Sequence, residues 1–487
     1  MPALTTDLFL HDLAASLPVD ARVVDRERMR VFECDALSAY QQLPLAVVLP
    51  ADEAQLLHTL ALCRQYRVPV VARGAGTGLS GGALPVAGGV LLSLSRMNRL
   101  LELDPLARTA RLQPGVRNLA ISEAAAPHGL YYAPDPSSQI ACSIGGNVAE
   151  NAGGVHCLKY GLTVHNLLAL RVVTMEGEVL SLGGTAPDAP GLDLLPLLTG
   201  SEGLLGFITE VTVRLLPKPP LARVIMAAFP TVDRAADAVA QLIASGLIPA
   251  AVEMMDRATV QAVTPLVGPI YPTDAAAVLL VEADGSEAEV AGDIERMQRV
   301  LQERGASQLT VSDSEAERLQ LWAGRKAAFP AAARLAPDYY CMDGSIPRQQ
   351  LGRILQEIEA LSAEFGLPCI NVFHAGDGNL HPLILFDANA PGQFERTEAF
   401  GARILEACVA LGGAITGEHG VGVEKIQSMC VQFSRAELSS FHQLKQAFDP
   451  QGLLNPGKAI PELHRCAEHG RLHVHGGQLP FPDLPRF

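Results

Sequence analysis

The sequence predicts an α+β protein of more than one domain, and three observations carry that expectation. The chain has 487 residues, too many for a single hydrophobic core. Up to a break at Pro217, Pro219 and Pro220, short apolar strands alternate with glycine-rich polar loops. Beyond the break, strands are followed by long helical patterns, the rhythm of helices packed on a sheet.

Taken in order, residues 1–43 read as a helical and then irregular N-terminal segment. Leu45-Ala-Val-Val-Leu49 is a strand, and Asp52–Arg67 a helix with Ala54, Leu57, Leu60 and Ala61 on one face. Val68-Pro-Val-Val-Ala72 and Gly89-Val-Leu-Leu-Ser-Leu94 are strands, turns follow at Asp104-Pro105 and Glu176-Gly177, and Val211–Leu216 closes a domain over 44–219. Three strand–helix units then follow: Val224–Phe229 with Ala235–Ser245, Ala277–Ala283 with Ala288–Gly305, and Asp338–Ile346 with Gln349–Phe365. Cys369–Phe373 and Pro382–Phe386 add strands to a second domain over 220–435. A helix from Ala436 to Ala447 opens a C-terminal segment, 436–461, and residues 462–487 are expected to be a flexible tail. The tail histidines His464, His469, His473 and His475 read as surface.

Composition narrows the function. With 37 Lys+Arg against 52 Asp+Glu the net charge is −15, so there is no basic field to recruit a nucleic acid. Charged residues make up only 18% and apolar ones 48%, which excludes a disordered chain. No apolar run reaches the roughly 18 residues of a spanning helix. Asp7 and Asp12 precede the first arginine, Arg22, which predicts neither a secretory signal nor a transit peptide. Nine scattered cysteines with no CxxC pair point to reduced thiols in a cytoplasmic chain and against a resident iron–sulfur cluster.

The run Arg73-Gly-Ala-Gly-Thr-Gly-Leu-Ser-Gly-Gly82 holds five glycines, which let backbone N–H groups approach a pyrophosphate closely. It formally contains GxGxxG, but Pro85 and a strand follow where a nicotinamide-binding Rossmann unit needs a helix. Two more small-residue stretches, Pro134–Asn147 continuing to Gly154 and Gly200–Thr209, could line the same groove.

On PVVARGAGTGLSGGA, PDPSSQIACSIGGNVAENAGG, GSEGLLGFITEV and LLNPGK, taken in order, the chain resembles the vanillyl-alcohol oxidase and p-cresol methylhydroxylase flavoproteins. Within them it is most similar to the FAD-linked D-2-hydroxyacid dehydrogenases, of the bacterial glycolate oxidase flavin-subunit type. The likeness spans about residues 44 to 461. It implies an FAD-binding domain, a ferredoxin-like α+β cap domain for substrate, and a helical C-terminal segment returning to the FAD domain. For FAD it implies Arg73, Gly74, Gly76, Thr77, Gly78, Ser80 and Gly81 at the phosphates. Pro134, Ser138, Gly145, Asn147, Gly153, Glu202, Gly206, Ile208 and Asn455 flank the rest of the cofactor. Some relatives attach FAD through a histidine in the first loop. This loop has none, so noncovalent FAD is expected.

The second domain carries Asn371-Val-Phe-His-Ala-Gly-Asp-Gly-Asn-Leu-His381, with His374 and His381 across a tight turn, and later Thr416-Gly-Glu-His-Gly420. Two imidazoles and a carboxylate suit zinc, manganese or iron. The resemblance makes His374, His381 and Glu418 the metal ligands and His419 the base. A bound cation stabilises an alkoxide, and a neutral imidazole accepts the hydroxyl proton. Arg325, whose guanidinium presents parallel donors, is the candidate for the substrate carboxylate. Lys326 is expected to face solvent and Trp322 to pack in the core, while Lys425 and Lys458 read as solvated.

Where 2-hydroxyglutarate-oxidising relatives carry polar side chains, this chain has Phe329, Cys341 and Leu383. An unpaired second carboxylate would be costly to bury there, so a small monocarboxylate, glycolate or D-lactate, is expected. Tyr339 and Tyr340 either line that pocket or belong to the core. Electrons would leave to a separate carrier. The resemblance implies partner subunits, a second flavin-type subunit and an iron–sulfur subunit, or else a quinone or cytochrome acceptor. Attachment to the inner membrane would then be peripheral and through partners. The competing readings are a stand-alone D-lactate dehydrogenase and a flavin-binding subunit without turnover.

Overall fold

The computed structural model describes residues 3–186 and 191–461. The tail histidines therefore lie outside the described residues. The chain begins with a helix, Ala3–Ser16, whose Phe9 and Leu13 are buried against Leu56, Leu60 and Cys63 of the helix Glu53–Tyr66. Asp52 caps that second helix by accepting a hydrogen bond from the Gln55 N–H. Arg67, in the left-handed conformation at φ 55°, ends it and turns the chain back toward the sheet.

That sheet has four strands. Ala46–Val48, Val90–Ser93 and Val70–Arg73 lie parallel in this order, and Arg22–Val23 pairs antiparallel at the edge. Both faces are covered, so the strands read as unbroken apolar runs. The C-terminal segment completes the layer: the Asn455 N–H donates to the Val70 carbonyl at 2.7 Å, and Val70 donates to Leu453 at 2.8 Å. Beside it stands a five-stranded antiparallel sheet in the order Leu100–Asp104, Thr109–Leu112, Phe207–Arg214, Leu167–Val173 and Val179–Gly183.

From Leu221 the chain builds a seven-stranded antiparallel sheet. The order is Gln308–Val311, Leu221–Phe229, Ala277–Gly285, Ala251–Asp256, Cys369–Phe373, Pro382–Phe386 and Asp338–Cys341. The strand at Asp338 is shorter than the sequence suggested, because the chain leaves the ladder after Cys341. Side chains alternate between two cores. Ile225, Ala227 and Phe229 meet helices Val232–Ala244, Glu287–Glu303, Leu351–Phe365 and Gln393–Ala410. Val224, Met226 and Ala228 meet Arg257–Val267, Glu315–Lys326 and Ala328–Leu335. Four adjacent strands, from Ala251–Asp256 to Asp338–Cys341, bring their ends to one rim of the sheet, and the polar residues described next come from that rim.

Among the described residues seven cysteines are free thiols. No helix among the described residues is long and apolar enough to cross a membrane.

Candidate active site

The glycine-rich run leaves the carboxyl end of Val70–Arg73 and forms one wall of a cleft. A groove walled by glycine backbone along its length suits the pyrophosphate of a dinucleotide. Gly76 has φ +73°, and a Cβ there would run into the Arg73 guanidinium, so the bend requires glycine. The helix Ile144–Glu150, capped by Ser143, presents Gly145, Gly146 and Asn147 to the same cleft. Gly145 packs against Pro114, where a side chain would meet the proline ring.

Of the residues expected to hold a cofactor, Arg73, Gly74, Gly76, Thr77, Gly78, Ser138, Gly145, Asn147, Gly153, Glu202, Gly206 and Ile208 line the cleft. Ser80, Gly81, Pro134 and Asn455 stand behind its wall. The Ser80 carbonyl accepts from the Val423 N–H at 3.0 Å, and Gly81 lies against Val423. The Pro134 carbonyl accepts from Asn118 Nδ2 at 3.1 Å. Asn455 Nδ2 donates to the carbonyls of Glu202 at 2.7 Å and Gly82 at 3.2 Å, stitching two glycine segments together. Arg73 reaches the cleft, yet its Nη1 donates to the Cys34 carbonyl at 2.6 Å and ties down the N-terminal segment. Sequence reasoning missed Ser143 and Glu150 among the lining residues, although both stand inside the stretch already singled out.

The far end of the cleft is closed by Phe329, His381, Glu418 and His419. His374 follows one central strand and His381 precedes the next, and the turn between them is fixed by the His374 N–H donating to the Asn379 carbonyl at 3.0 Å. Glu418 Oε1 lies 3.3 Å from His374 Nε2 and 3.3 Å from His381 Nε2. The three potential ligand atoms fall within 4.8 Å of one another. Both ring nitrogens of His381 are buried without a hydrogen-bond partner. Buried polar atoms left so are rare unless a ligand completes them, so the donor set fits a divalent cation.

Asp343, just past the strand Asp338–Cys341, organises the loop that delivers Glu418 and His419. Its carboxylate accepts from the Thr416 hydroxyl at 2.6 Å, the N–H groups of Gly417, Glu418 and His419, and Lys425 Nζ at 3.0 Å. Asp343 was missed in the sequence, where it falls inside the run Asp338–Ile346 read as one strand. Lys425 and Lys458, expected in solvent, are 1% and 3% exposed. Lys425 neutralises Asp343, and Lys458 Nζ donates to the Gly82 carbonyl at 2.9 Å. Lys326 is exposed and Trp322 buried, as expected, and Trp322 Nε1 donates to Glu282 at 2.5 Å. Tyr340 is core, and Tyr339 packs edge-to-face on Phe329 with ring centroids 5.9 Å apart.

Burial pushes the His419 imidazole down to about 4, the nearby Asp343 carboxylate offsetting part of that effect. At neutral pH the ring is therefore uncharged, with a lone pair free to take a proton. Its Nδ1 is buried and unpartnered, and it stacks on His381 with ring centroids 5.0 Å apart. Burial would raise the Glu418 carboxyl, but the flanking His374 and His381 hold it well below the usual carboxylate range.

Arg325, in the helix Glu315–Lys326, is only 4% exposed and stands one layer behind the cleft wall. Its Nε donates to Glu253 Oε2 at 2.6 Å, while its Nη2 is buried with no partner. Glu253 itself went unread, an acid flanked by apolar residues in the strand Ala251–Asp256.

A two-domain chain that joins a glycine-walled dinucleotide cleft to a histidine–carboxylate centre on a large antiparallel sheet is an FAD-linked hydroxyacid oxidase. Residues 44–183 match the FAD binding domain, and residues 218–459 match the C-terminal domain of FAD linked oxidases. The chain is 60% identical over 461 residues to glycolate oxidase subunit GlcD of Escherichia coli K12, covering 95% of this chain and 92% of that one. It is 33% identical to D-lactate dehydrogenase of Anaerostipes hadrus over 89% of this chain and 93% of that one. Among solved structures, p-cresol methylhydroxylase superposes with a TM-score of 0.80 at 17% identity, covering 95% of this chain and 98% of that chain, and so shares the fold. The chain belongs to the glycolate oxidase subunit GlcD family of FAD-linked oxidases.

Proposed function

We propose that the protein oxidises a short 2-hydroxy acid, glycolate first and D-lactate second, to the 2-oxo acid. The observation that carries this reading is that Glu418, His381 and His419 open into the same cleft as the glycine loop. The cleft residues fit FAD, held noncovalently, which supplies the hydride acceptor that side chains lack. His374, His381 and Glu418 fit zinc, manganese or iron, which supplies Lewis-acid stabilisation of the substrate oxygen. His419, neutral because buried, accepts the hydroxyl proton at its free nitrogen. Arg325 is the cation assigned to the substrate carboxylate: its Nη2 is buried and unpaired, although the residue stands behind the cleft lining. Phe329 closes the chamber with an apolar ring, which favours a substrate carrying one carboxylate.

The chain holds no CxxC pair for a cluster, so electrons pass to a separate carrier. The Escherichia coli relative is named as a subunit of glycolate oxidase, which supports partner subunits; our reading of them is a second flavin-type and an iron–sulfur subunit, or else a quinone or cytochrome acceptor. Any membrane association is peripheral and through those partners.

The test is anaerobic mixing of the purified flavoprotein with glycolate and, separately, D-lactate. Bleaching of the oxidised flavin bands by glycolate is expected. Preferential bleaching by D-lactate would move the assignment to the second acid, and inertness toward both, with divalent metal added, would overturn it.

A further inference from the structure

Glu253 is an enclosed acid that touches both a candidate metal ligand and the candidate substrate cation. It is 1% exposed, on the strand Ala251–Asp256, beside the strand Cys369–Phe373 that His374 follows. Its Oε1 lies 2.7 Å from His374 Nδ1, and its Oε2 accepts from Arg325 Nε at 2.6 Å. Burial would raise its carboxyl, yet His374 and Arg325 together hold it below the ordinary value.

We infer that Glu253 is a positioning residue that fixes the His374 tautomer for metal binding and, with its other oxygen, fixes the Arg325 guanidinium. The inference rests on the reading of His374, His381 and Glu418 as a metal centre. A carboxylate can only accept, so the imidazole nitrogen facing it carries the proton. The proton on Nδ1 leaves a lone pair on Nε2, the nitrogen that faces Glu418 at 3.3 Å. On the other side Arg325 can only donate, so Oε2 holds its Nε and leaves Nη2 unpaired. One carboxylate thereby sets the geometry of the metal ligand and of the candidate substrate cation together, from a strand more than 70 residues from Arg325 and 120 from His374.

The sharpest variant is Glu253→Gln, which keeps shape but offers one oxygen and one amide. Arg325 needs the acceptor, so the amide turns to His374 Nδ1, and the imidazole proton moves to Nε2, the metal-facing nitrogen. The experiment is titration of the chelator-stripped full chain with zinc ion against a chromogenic competitor, alongside steady-state kinetics with glycolate at saturating zinc. Glu253→Gln is expected to bind zinc about 10–100-fold more weakly than wild type. Excess zinc restores its turnover, and the KM for glycolate stays near the wild-type value because Arg325 keeps its partner. Glu253→Asp, one methylene short of spanning both groups, is expected to lose zinc affinity and to raise KM. It also serves as the folded alternative should the glutamine variant fail to accumulate. A Glu253→Gln protein that binds zinc as tightly as wild type, with or without a lower melting temperature, reduces Glu253 to a structural ion-pair partner and overturns the inference. Wild type, His374→Ala and Glu418→Gln titrated in parallel separate the two levels. If those three bind zinc alike, the metal centre itself is misassigned, and the Glu253 role goes with it.

Discussion

Gly153 lies directly against Glu418: a side-chain carbon on Gly153 would collide with Glu418 Oε2. The two residues belong to different domains by sequence, one in a small-residue stretch of the FAD-binding half and the other in the loop after the last long cap helix. A glycine at 153 thus sets how close the flavin-side wall comes to the carboxylate.

Gly153→Ala must therefore displace the Glu418 carboxylate while leaving the backbone unstrained. We expect flavin content to stay at the wild-type level and turnover to fall by about 100-fold, the usual effect of misplacing a reacting group by about 1 Å. Visible absorbance and steady-state glycolate oxidation check both halves.

His419→Gln removes the proton acceptor but keeps a side chain of similar reach. A kcat loss of about 10²–10⁴-fold is expected, with zinc content and flavin spectrum retained. Loss of bound zinc in this variant would instead make His419 a ligand.

Metal removal tests the proposed metal site separately from the flavin cleft. Dialysis against a chelator should leave the flavin bands intact, because the glycine loop contributes nothing to the His374, His381 and Glu418 set. Glycolate-driven bleaching should disappear and return with zinc or manganese. Bleaching that survives with no detectable metal would argue against cation assistance.

Glu424 gives a pH prediction away from the ligands. Its side chain is 1% exposed, neither oxygen has a hydrogen-bond partner, and burial raises its carboxyl to about 7, with Lys425 offsetting part of the effect. A folded-state value above the unfolded 4.5 means that the group's contribution to stability is lost as pH rises from about 4.5 through 7. Glu424→Gln removes that loss. The variant should match wild type near pH 4 and exceed it above pH 7 by an amount on the order of a few kcal/mol. Denaturant unfolding at both pH values reads the difference, and an equal gain at both would exclude the ionisation as its cause.

Phe329→Ala enlarges the chamber next to His381 and His419. The ratio of kcat/KM for longer 2-hydroxy acids to that for glycolate should rise by about tenfold or more, the scale of one or two methylene groups in an apolar pocket. An unchanged ratio would place the size limit elsewhere.

Local chemistry wrote much of the framework directly into the chain. Asp52 marks the start of its helix because a carboxylate there caps the Gln55 N–H, and Cys369–Phe373 and Pro382–Phe386 stand where their apolar runs predict. The turn from His374 to His381 is likewise local: its glycines and Asp377 force the two strands back on each other, which is why two imidazoles spaced seven apart could be paired by eye. The helices Arg257–Val267, Glu315–Lys326 and Ala328–Leu335 went unread, as did the strand Ala251–Asp256. That strand is buried on both faces, which erases the alternation that marks a strand. What only the tertiary structure decided is which charges meet. Glu253 reaches His374 and Arg325, Asp343 gathers the Glu418 loop, and Lys425 sinks into the core, because sheet order places strands distant in sequence side by side. Periodicity and turn residues report on neighbours a few positions away. A buried carboxylate is stable only once its distant cations and donors have arrived, so its partners cannot be read from its own segment.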